Sequence, residues 1–455
     1  MDKFDAISPL DYRYGTGKDI AEYLSENARI KYQARVEAAL AKALAKNGIC
    51  SGKIAKQIEN AAMKVKAKEV YAEEKKIKHD VRALANMIRK RVSKEAKPFV
   101  HFSATSYDIV DTASALRYKE TTEKLILPKL KALEKTLIKL ALRNKKVVQI
   151  GRTHGQHASP VTFGFALSEY VSRLGNRIKA IEWAKDNLCG KFSGAVGSYN
   201  ASSLLVKNPQ KLEKDIMDDL GLKVSTHSTQ IVEPESLQDL IHTLIGTFSV
   251  LANLADDMRN LQRSEIAEVG EYFGSKQVGS STMPQKRNPI NFENVKSLWK
   301  EFMPRMSTIY MDAISEHQRD LTNSASARFI PEIFAGLISS TDRMDSVMEK
   351  MVVDRENIEK NFNLFKEIVV AEPLYIILAK YKHSDAHESV RKLALESYKT
   401  GEGVYDLAMK DKKLLKFLRQ FTKDEKELIQ NPERYIGLSV RKTEQVCSYW
   451  KKELK

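Results

Sequence analysis

Four long runs of apolar residues at helical spacing constrain the fold of this chain more than any other feature. Steps of three and four residues place side chains on one face of a helix, so each run predicts a long amphipathic helix. We therefore predict an all-α fold with a central bundle of long helices. The four runs lie at residues 130–140, 167–181, 237–261 and 290–317, and Pro304 is expected to bend the helix of the fourth run. The third run is the longest and is close to a heptad seam; it comprises Leu237, Leu240, Leu244, Leu251, Leu254, Met258 and Leu261.

Proline, glycine and capping residues mark where helices begin and end. Asn208 and Pro209 predict the start of a short helix that Gly221 ends. Ser159 followed by Pro160 predicts, by the same reasoning, the start of the second long helix. Alternating strand patterns are scarce, so the fold is expected to contain little sheet.

A chain of 455 residues is too long for one ordinary core and predicts two or three domains. Residues 145–150 form the only plausible short strand, and residues 190–203 and 272–289 have the glycine and serine content of loops. We place domain breaks near residues 110 and 363. The predicted domains are an N-terminal helical domain (1–110), a central long-helix domain (111–363) and a C-terminal helical domain (364–455).

The charge of the chain is strongly positive, with 75 Lys and Arg against 59 Asp and Glu and a formal net charge of +16. This excess favours anionic partners such as nucleic acid, a membrane surface or a phosphorylated metabolite, although lysine-rich helix faces are also simply solvated. Glutamates interrupt the basic stretch at residues 64–78, and helix-turn-helix signals are absent. We therefore predict no nucleic-acid partner.

The sequence also indicates where the protein works. Three cysteines lie far apart, with no metal-ligand spacing, which favours a reducing compartment. Residues 1–5 include two aspartates and begin no apolar run, so they predict no secretory signal. The uncharged run at residues 240–255 contains polar residues and falls short of the roughly 20 apolar residues of a membrane span. We expect a cytoplasmic protein with no membrane partner.

The most informative stretch is residues 279–289, Gly-Ser-Ser-Thr-Met-Pro-Gln-Lys-Arg-Asn-Pro. It combines hydroxyls, cations and amides in a segment whose glycine and exposed N–H groups can surround an anion. By composition alone, an ordinary surface loop is the better interpretation. The order of the residues carries more information than their composition.

This loop resembles, nearly residue for residue, the GSSxMPxKxNP signature of the fumarase/aspartase superfamily. Residues 101–108 (HFSATSYD) are similar to the HxGxTSxD segment of that superfamily, with Ser103 in place of its glycine, and residues 152–156 (RTHGQ) to its THGQ segment. The resemblance implies elimination of fumarate from a succinyl-type group, without a metal or cofactor. It also implies a homotetramer whose long helices form a superhelical core and whose active sites are shared between subunits.

Three more segments are similar to the branch of the superfamily that acts on succinyl-purine nucleotides. They are residues 11–14 (DYRY), 78–81 (KHDV) and 319–328 (RDLTNSASAR). The resemblance therefore implies a carbon–nitrogen lyase with succinyl-purine nucleotide substrates. The alternatives are the argininosuccinate-cleaving branch, another fumarate-releasing lyase, or a protein that keeps this fold without catalysis.

The resemblance also assigns roles to side chains. Ser280 is the expected general base, although a free serine is too weak a base at neutral pH unless backbone amides and a cation such as Lys286 stabilise its alkoxide. His154 is the expected general acid, since an unperturbed histidine pKa of roughly 6.5 suits proton donation near neutrality. His79 is the second candidate for this role, and Glu293 is a candidate to hold a histidine in its charged form.

The remaining expected site residues bind substrate. Arginine offers a planar fork that matches phosphate oxygens, whereas hydroxyls and amides suit the succinyl carboxylates. Asn294 lies where some branches carry arginine. The set comprises Arg13, Tyr14, Lys78, His79, Asp80, His101, Thr105, Ser106, Gln230, Ser281, Lys286, Arg287, Asn288, Asn294, Arg319, Ser324 and Arg328, of which Arg13, Tyr14, Arg319, Ser324 and Arg328 are the phosphate candidates.

Overall fold

Helices dominate the protein in this computed structural model, which describes residues 5–15 and 17–454. The prediction of no secretory signal rests mainly on residues 1–4 and so lies outside the described residues. The α-helices are α1 (Lys18–Leu24), α2 (Glu26–Lys46), α3 (Gly52–Ala62), α4 (Ala67–Ile77), α5 (Asp80–Arg89), α6 (Ser106–Thr121), α7 (Leu127–Arg143), α8 (Phe163–Asp186), α9 (Asn200–Ser203), α10 (Pro209–Leu220), α11 (Glu235–Leu261), α12 (Ile290–Phe302), α13 (Arg305–Met311), α14 (Ile330–Glu349), α15 (Arg355–Asn363), α16 (Lys366–Val369), α17 (Ala371–Lys380), α18 (Ala386–Thr400), α19 (Val404–Lys410), α20 (Lys412–Leu418), α21 (Lys423–Gln430) and α22 (Ser439–Glu453).

Short strands form three two-stranded sheets within the described residues. The strands β1 and β2 pair antiparallel, β3 and β4 pair parallel, and β5 and β6 pair antiparallel. Because the strands are few and short and all other described elements are helices, the all-α prediction is confirmed. The strands are β1 (Val148–Thr153), β2 (Gln156–Thr162), β3 (Cys189–Gly190), β4 (Lys223–Val224), β5 (Val269–Gly270) and β6 (Val352–Val353).

The predicted long helices are present where the apolar runs indicated them. Leu130, Leu133 and Leu137 of α7 are all buried on one side of the helix. The heptad-like run lies in α11, which has 27 residues. The fourth run is divided into α12 and α13 at Pro304, because a proline lacks the amide hydrogen and clashes with the preceding turn.

One predicted helix start is wrong. Ser159 and Pro160 lie in strand β2, and α8 begins after Thr162, whose hydroxyl accepts a hydrogen bond from the amide of Phe165 at 3.2 Å. A two-stranded ribbon has an unpaired edge on each strand, so it tolerates a proline that a central strand would not. The strand predicted at residues 145–150 overlaps β1, which begins three residues later at Val148, continues to Thr153 and pairs with β2.

The chain divides into two compact units, each assembled from three segments. The first unit comprises the segment up to Lys131, Asn176–Leu251 and Lys296–Arg343, and it contains a core between α2, α3, α4 and α5. The second unit comprises Ala132–Gly175, Ala252–Val295 and the segment from Met344, and it contains a core formed by α17–α21. The domain breaks near residues 110 and 363 stay a prediction. None of the helices described is long and apolar enough to cross a membrane.

Candidate active site

The signature loop belongs to the second unit, and its backbone surrounds the hydroxyl of Ser280. The Oγ of Ser280 accepts hydrogen bonds from the amides of Thr282 at 3.3 Å and Met283 at 3.1 Å. The amide of Lys286 in turn donates to the carbonyl of Met283 at 3.0 Å, so the loop continues as a second turn. The Ser280 oxygen therefore accepts hydrogen bonds from two backbone amides, and such an arrangement stabilises negative charge on an oxygen.

Contacts across the loop fix its two ends close together. The side-chain amide of Asn288 donates to the carbonyl of Gly279 at 3.1 Å. A β-carbon at Gly279 would lie 2.0 Å from the carbonyl oxygen of Lys286, so only glycine permits this approach. Ser281, Lys286 and Arg287 are exposed, and the Arg287 guanidinium lies 5.1 Å from the centre of the Phe273 ring.

The carboxylate of Glu271 connects the segment before the signature loop to the helix that follows it. Glu271 accepts hydrogen bonds from the amides of Asn291 at 2.8 Å and Phe292 at 2.9 Å, at the first turn of α12. A negative charge at this position also interacts favourably with the helix dipole. The glycine- and serine-rich segment between Glu271 and Asn291 is therefore held at both ends by the hydrogen bond between these two residues.

His154 lies at the tip of the β1–β2 hairpin, also in the second unit. Thr153 pairs with Gln156 across a two-residue turn, in which His154 has φ 55° and Gly155 φ 72°. Positive φ at both central residues is the requirement of the tight turn that best matches strand twist. The turn presents the exposed His154 ring on two paired strands rather than on a free loop.

The buried carboxylate of Glu268 accepts hydrogen bonds from two side chains of strand β1 in this hairpin. The fully buried Glu268 accepts hydrogen bonds from Arg152 at 2.6 Å, from Gln149 at 2.5 Å and from Asn361 at 2.9 Å. Glu268 immediately precedes strand β5, which leads into the signature loop. The same side chain thus holds the strand before His154 and the start of the segment that carries Ser280.

The TSYD segment forms the start of α6 in the first unit. The amide of Thr105 donates to Asp108 at 2.9 Å, and Ser106 is the first helical residue. Asp108 is fully buried together with Lys191, whose Nζ donates to Asp108 Oδ1 and, at 3.1 Å, to the carbonyl of Gly194. A helix N-terminus with two hydroxyl residues is suited to bind a carboxylate.

Left-handed backbone conformations occur at His101 and Ser103, just before α6. Their φ angles are 60° and 65°. The angle at Ser103 explains physically why a glycine suits this position. The Nδ1 of His101 lies 2.6 Å from the buried Glu37 carboxylate. Burial lowers the pKa of His101, but the charge and hydrogen bond of Glu37 outweigh burial and leave the pKa raised.

The KHDV segment caps α5, also in the first unit. Lys78 ends α4 with φ 59°, and the Nδ1 of His79 accepts a hydrogen bond from the amide of Arg82 at 3.3 Å. Because Nδ1 accepts, a neutral His79 ring carries its proton on Nε2. Asp80 accepts from the amide of Val81 at 2.7 Å. This geometry suits His79 to donate a hydrogen bond through Nε2.

Arg319 and Gln230 lie together in the first unit. The amide of Gln230 donates at 3.3 Å to the carbonyl of Gln318, next to Arg319. The neighbouring Val232 amide donates at 3.0 Å to Asp111, whose pKa burial raises to about 6. The remaining expected residues of this unit are Arg13 and Tyr14, in the short π-helix Leu10–Tyr14, and the exposed Ser324 and Arg328. Asn294, half-buried in α12, belongs to the second unit.

Several polar residues around these segments were missed by reasoning from the sequence. Glu37, Lys191 and Glu268 are buried and charged, which is rare without a partner. Nothing in the local sequence marked them, since each partner is distant along the chain. Among the residues described, no group of three or more histidine, cysteine or acidic side chains is arranged to hold a metal ion.

Comparisons with known proteins identify the class. Residues 17–301 match a family model described as "Lyase", and residues 315–435 match one described as "Adenylosuccinate lyase C-terminal". A solved structure, the 3-carboxy-cis,cis-muconate lactonizing enzyme from Pseudomonas putida, shares the fold with a TM-score of 0.84 at 23% identity, covering 98% of this chain and 99% of that one. The chain is a lyase of the fumarase/aspartase superfamily.

The relatives narrow the assignment further. The adenylosuccinate lyase of Archaeoglobus fulgidus is 36% identical over 99% of this chain and 100% of its own length. That of Pyrococcus abyssi is 38% identical over 98% of each chain. The chain belongs to the adenylosuccinate lyase family.

Proposed function

We propose that this protein eliminates fumarate from adenylosuccinate to give AMP, and from succinyl-aminoimidazole-carboxamide ribotide to give the carboxamide ribotide. The observation that carries the proposal is the position of the Ser280 oxygen at two backbone amides within the signature loop. The reaction is an anti β-elimination, in which a proton leaves the carbon next to a carboxylate and the carbon–nitrogen bond then breaks.

Ser280 is the general base of this scheme. Its hydroxyl must lose a proton before it can accept one, and the amides of Thr282 and Met283 would stabilise the resulting alkoxide. Lys286 would add the positive charge, both for the alkoxide and for the carboxylate that gathers electrons in the transition state. Gly279 supports this role because it permits the close approach of the Lys286 carbonyl.

His154 is the general acid that protonates the departing nitrogen. Its position at the tip of a hydrogen-bonded hairpin supports this role, because a proton donor must be held in a fixed geometry. His79 binds and orients the substrate through Nε2. His154 would begin the cycle as an imidazolium and end it neutral, while the Ser280 alkoxide takes up the proton from carbon. Ser280 would then release its proton to solvent and His154 would regain one from solvent, which restores both groups.

The substrate-binding roles follow from charge and donor type. The start of α6, with Thr105 and Ser106, would bind a succinyl carboxylate together with Ser281 and Asn288. The 5′-phosphate would be bound by arginines, which match its oxygens with paired N–H groups. The proposed phosphate-binding residues are Arg13, Tyr14, Arg319, Ser324 and Arg328. The other proposed substrate-binding residues are Lys78, Asp80, His101, Gln230, Arg287 and Asn294.

The proposal extends to assembly and location. We propose a homotetramer in the cytoplasm, with three helical domains (1–110, 111–363 and 364–455) and active sites shared between subunits. Mixing inactive Ser280→Ala and His154→Ala proteins tests the sharing, because a hybrid can contain sites with both groups intact. Recovered fumarate release supports shared sites, whereas none in confirmed hybrids contradicts them.

A three-substrate assay tests the activity itself. Purified protein is incubated with adenylosuccinate, the succinyl carboxamide ribotide or argininosuccinate, and the fumarate released is measured. The proposal requires release from the first two. Release from argininosuccinate alone would assign the protein to the argininosuccinate-cleaving branch and would refute the proposal.

A further inference from the structure

Tyr107 lies in the TSYD segment but has no role in the scheme above. It is on the first turn of α6 and is half-buried, with Arg319 of the same unit packed against it. The central carbon of the Arg319 guanidinium lies 3.9 Å from the centre of the Tyr107 ring. The Nη2 of Arg319 also donates a hydrogen bond to the phenol oxygen. One aromatic side chain thus contacts the guanidinium through both its face and its hydroxyl.

A second neutral group holds the other side of the guanidinium. The Nη1 of Arg319 donates to the side-chain oxygen of Asn323 at 2.9 Å. Because a phenol and an amide carry no net charge, these hydrogen bonds orient Arg319 without neutralising it. The Nε of Arg319 is buried and has no hydrogen-bond partner in the part of the chain that the structure describes. A buried, oriented donor without a partner is costly, and an anion would relieve that cost.

We propose that Tyr107 is a positioning residue that holds the Arg319 guanidinium ready for the phosphate of the nucleotide substrate. This inference rests on the proposed function, in which Arg319 binds that phosphate. An arginine fixed before binding loses less side-chain entropy when it engages phosphate oxygens than a mobile one does. Stacking on the ring also sets the plane of the guanidinium, and hence the direction of its paired donors.

The ionisation of Tyr107 is compatible with this role. Burial raises the pKa of Tyr107, while the charge of Arg319 lowers it, and the net result is a raised pKa. The phenol therefore stays neutral near pH 7 and does not itself neutralise the positive charge of Arg319. A phenol that accepts a hydrogen bond through its oxygen can also still donate its own proton to a phosphate oxygen.

Kinetics on paired substrates test the inference. Tyr107→Phe removes the hydroxyl and keeps the ring, whereas Tyr107→Leu removes both. Tyr398→Phe, at an exposed tyrosine of α18, is the matched control. Each protein is assayed with adenylosuccinate and with its dephosphorylated nucleoside, and the inhibition constant of inorganic phosphate is measured against adenylosuccinate.

The expected result is specific to phosphate. Tyr107→Phe should raise KM for adenylosuccinate about 10-fold, with kcat changed less than about twofold, because a hydrogen bond to a charged donor is lost. Tyr107→Leu should raise KM about 50-fold through the added loss of stacking. The inhibition constant of phosphate should rise in parallel. The value of kcat/KM for the nucleoside should be unchanged in both variants, and Tyr398→Phe should match the wild type.

Three results would overturn the inference. Equal losses on nucleotide and nucleoside would show that Tyr107 only supports the fold of α6. An unchanged KM in both Tyr107 variants, when Arg319→Lys raises KM for adenylosuccinate, would show that Arg319 needs no positioning. An Arg319→Lys protein with normal KM would remove the phosphate role itself. Failure of the proposed function is separate, since the wild type would then release no fumarate from adenylosuccinate.

Discussion

Glu134 provides a test of the buried electrostatics, because its carboxyl group lies in α7 without a hydrogen-bond partner in the described chain. The residue is fully buried, and burial raises its pKa from 4.5 to about 9. Glu134 is therefore neutral in the folded protein at pH 7, whereas it is ionised in the unfolded chain.

This difference fixes both the sign and the size of a pH effect. Between pH 4.5 and about 9 the folded state binds one more proton than the unfolded state, so the free energy of unfolding falls as pH rises. The fall is about 1.4 kcal/mol per pH unit for a single group. It amounts to about 4 kcal/mol between pH 5 and pH 8, and to about 3 kcal/mol at pH 7 relative to acid pH.

Glu134→Gln removes this proton uptake while it keeps the shape of the side chain. We expect the variant and the wild type to have similar free energies of unfolding at pH 5. At pH 8 the free energy of unfolding of the variant should exceed that of the wild type by about 4 kcal/mol. Urea unfolding followed by circular dichroism at both pH values measures this. Glu123→Gln, at a side chain that is 44% exposed, is the control. Equal pH dependence in Glu134→Gln and the wild type would refute the reasoning.

Three other substitutions test the site. Lys191→Met leaves the carboxylate of Asp108 buried without its partner, so urea unfolding should show a loss of about 3 kcal/mol, and a loss below about 1 kcal/mol would contradict this. Ser103→Gly relieves a left-handed conformation, so the same measurement should show a gain of about 1 kcal/mol, and destabilisation would contradict the strain. Gly279→Ala forces a β-carbon against the Lys286 carbonyl, so fumarate release should fall about 100-fold with normal unfolding, whereas unchanged turnover would mean the loop geometry is not needed.

Local sequence signals predicted the helices well and failed at the hairpin. The Asn208–Pro209 start and Gly221 end of α10 were correct, because capping acts within one turn of the helix. Ser159 and Pro160 gave the same signal in a strand, because a proline suits an unpaired strand edge as well as a helix start. Short-range chemistry alone does not distinguish the two settings.

The candidate site was predictable only where a motif is continuous in sequence. The signature loop and the THGQ turn carry their own geometry, through Gly279 and the positive φ angles of His154 and its neighbour. The supporting contacts join residues far apart, with separations of 83 for Lys191 and Asp108, 116 for Arg152 and Glu268, and 212 for Arg319 and Tyr107. No spacing rule connects such positions before the chain is folded.

Fumarate release from saturating adenylosuccinate by the Ser280→Ala protein tests the proposed chemistry most directly. If an alkoxide stabilised by the loop amides removes the proton from carbon, turnover should fall about 1,000-fold while the protein still binds the substrate. Turnover within about tenfold of the wild type, in a variant with normal substrate affinity, would contradict the assignment of Ser280 as the base.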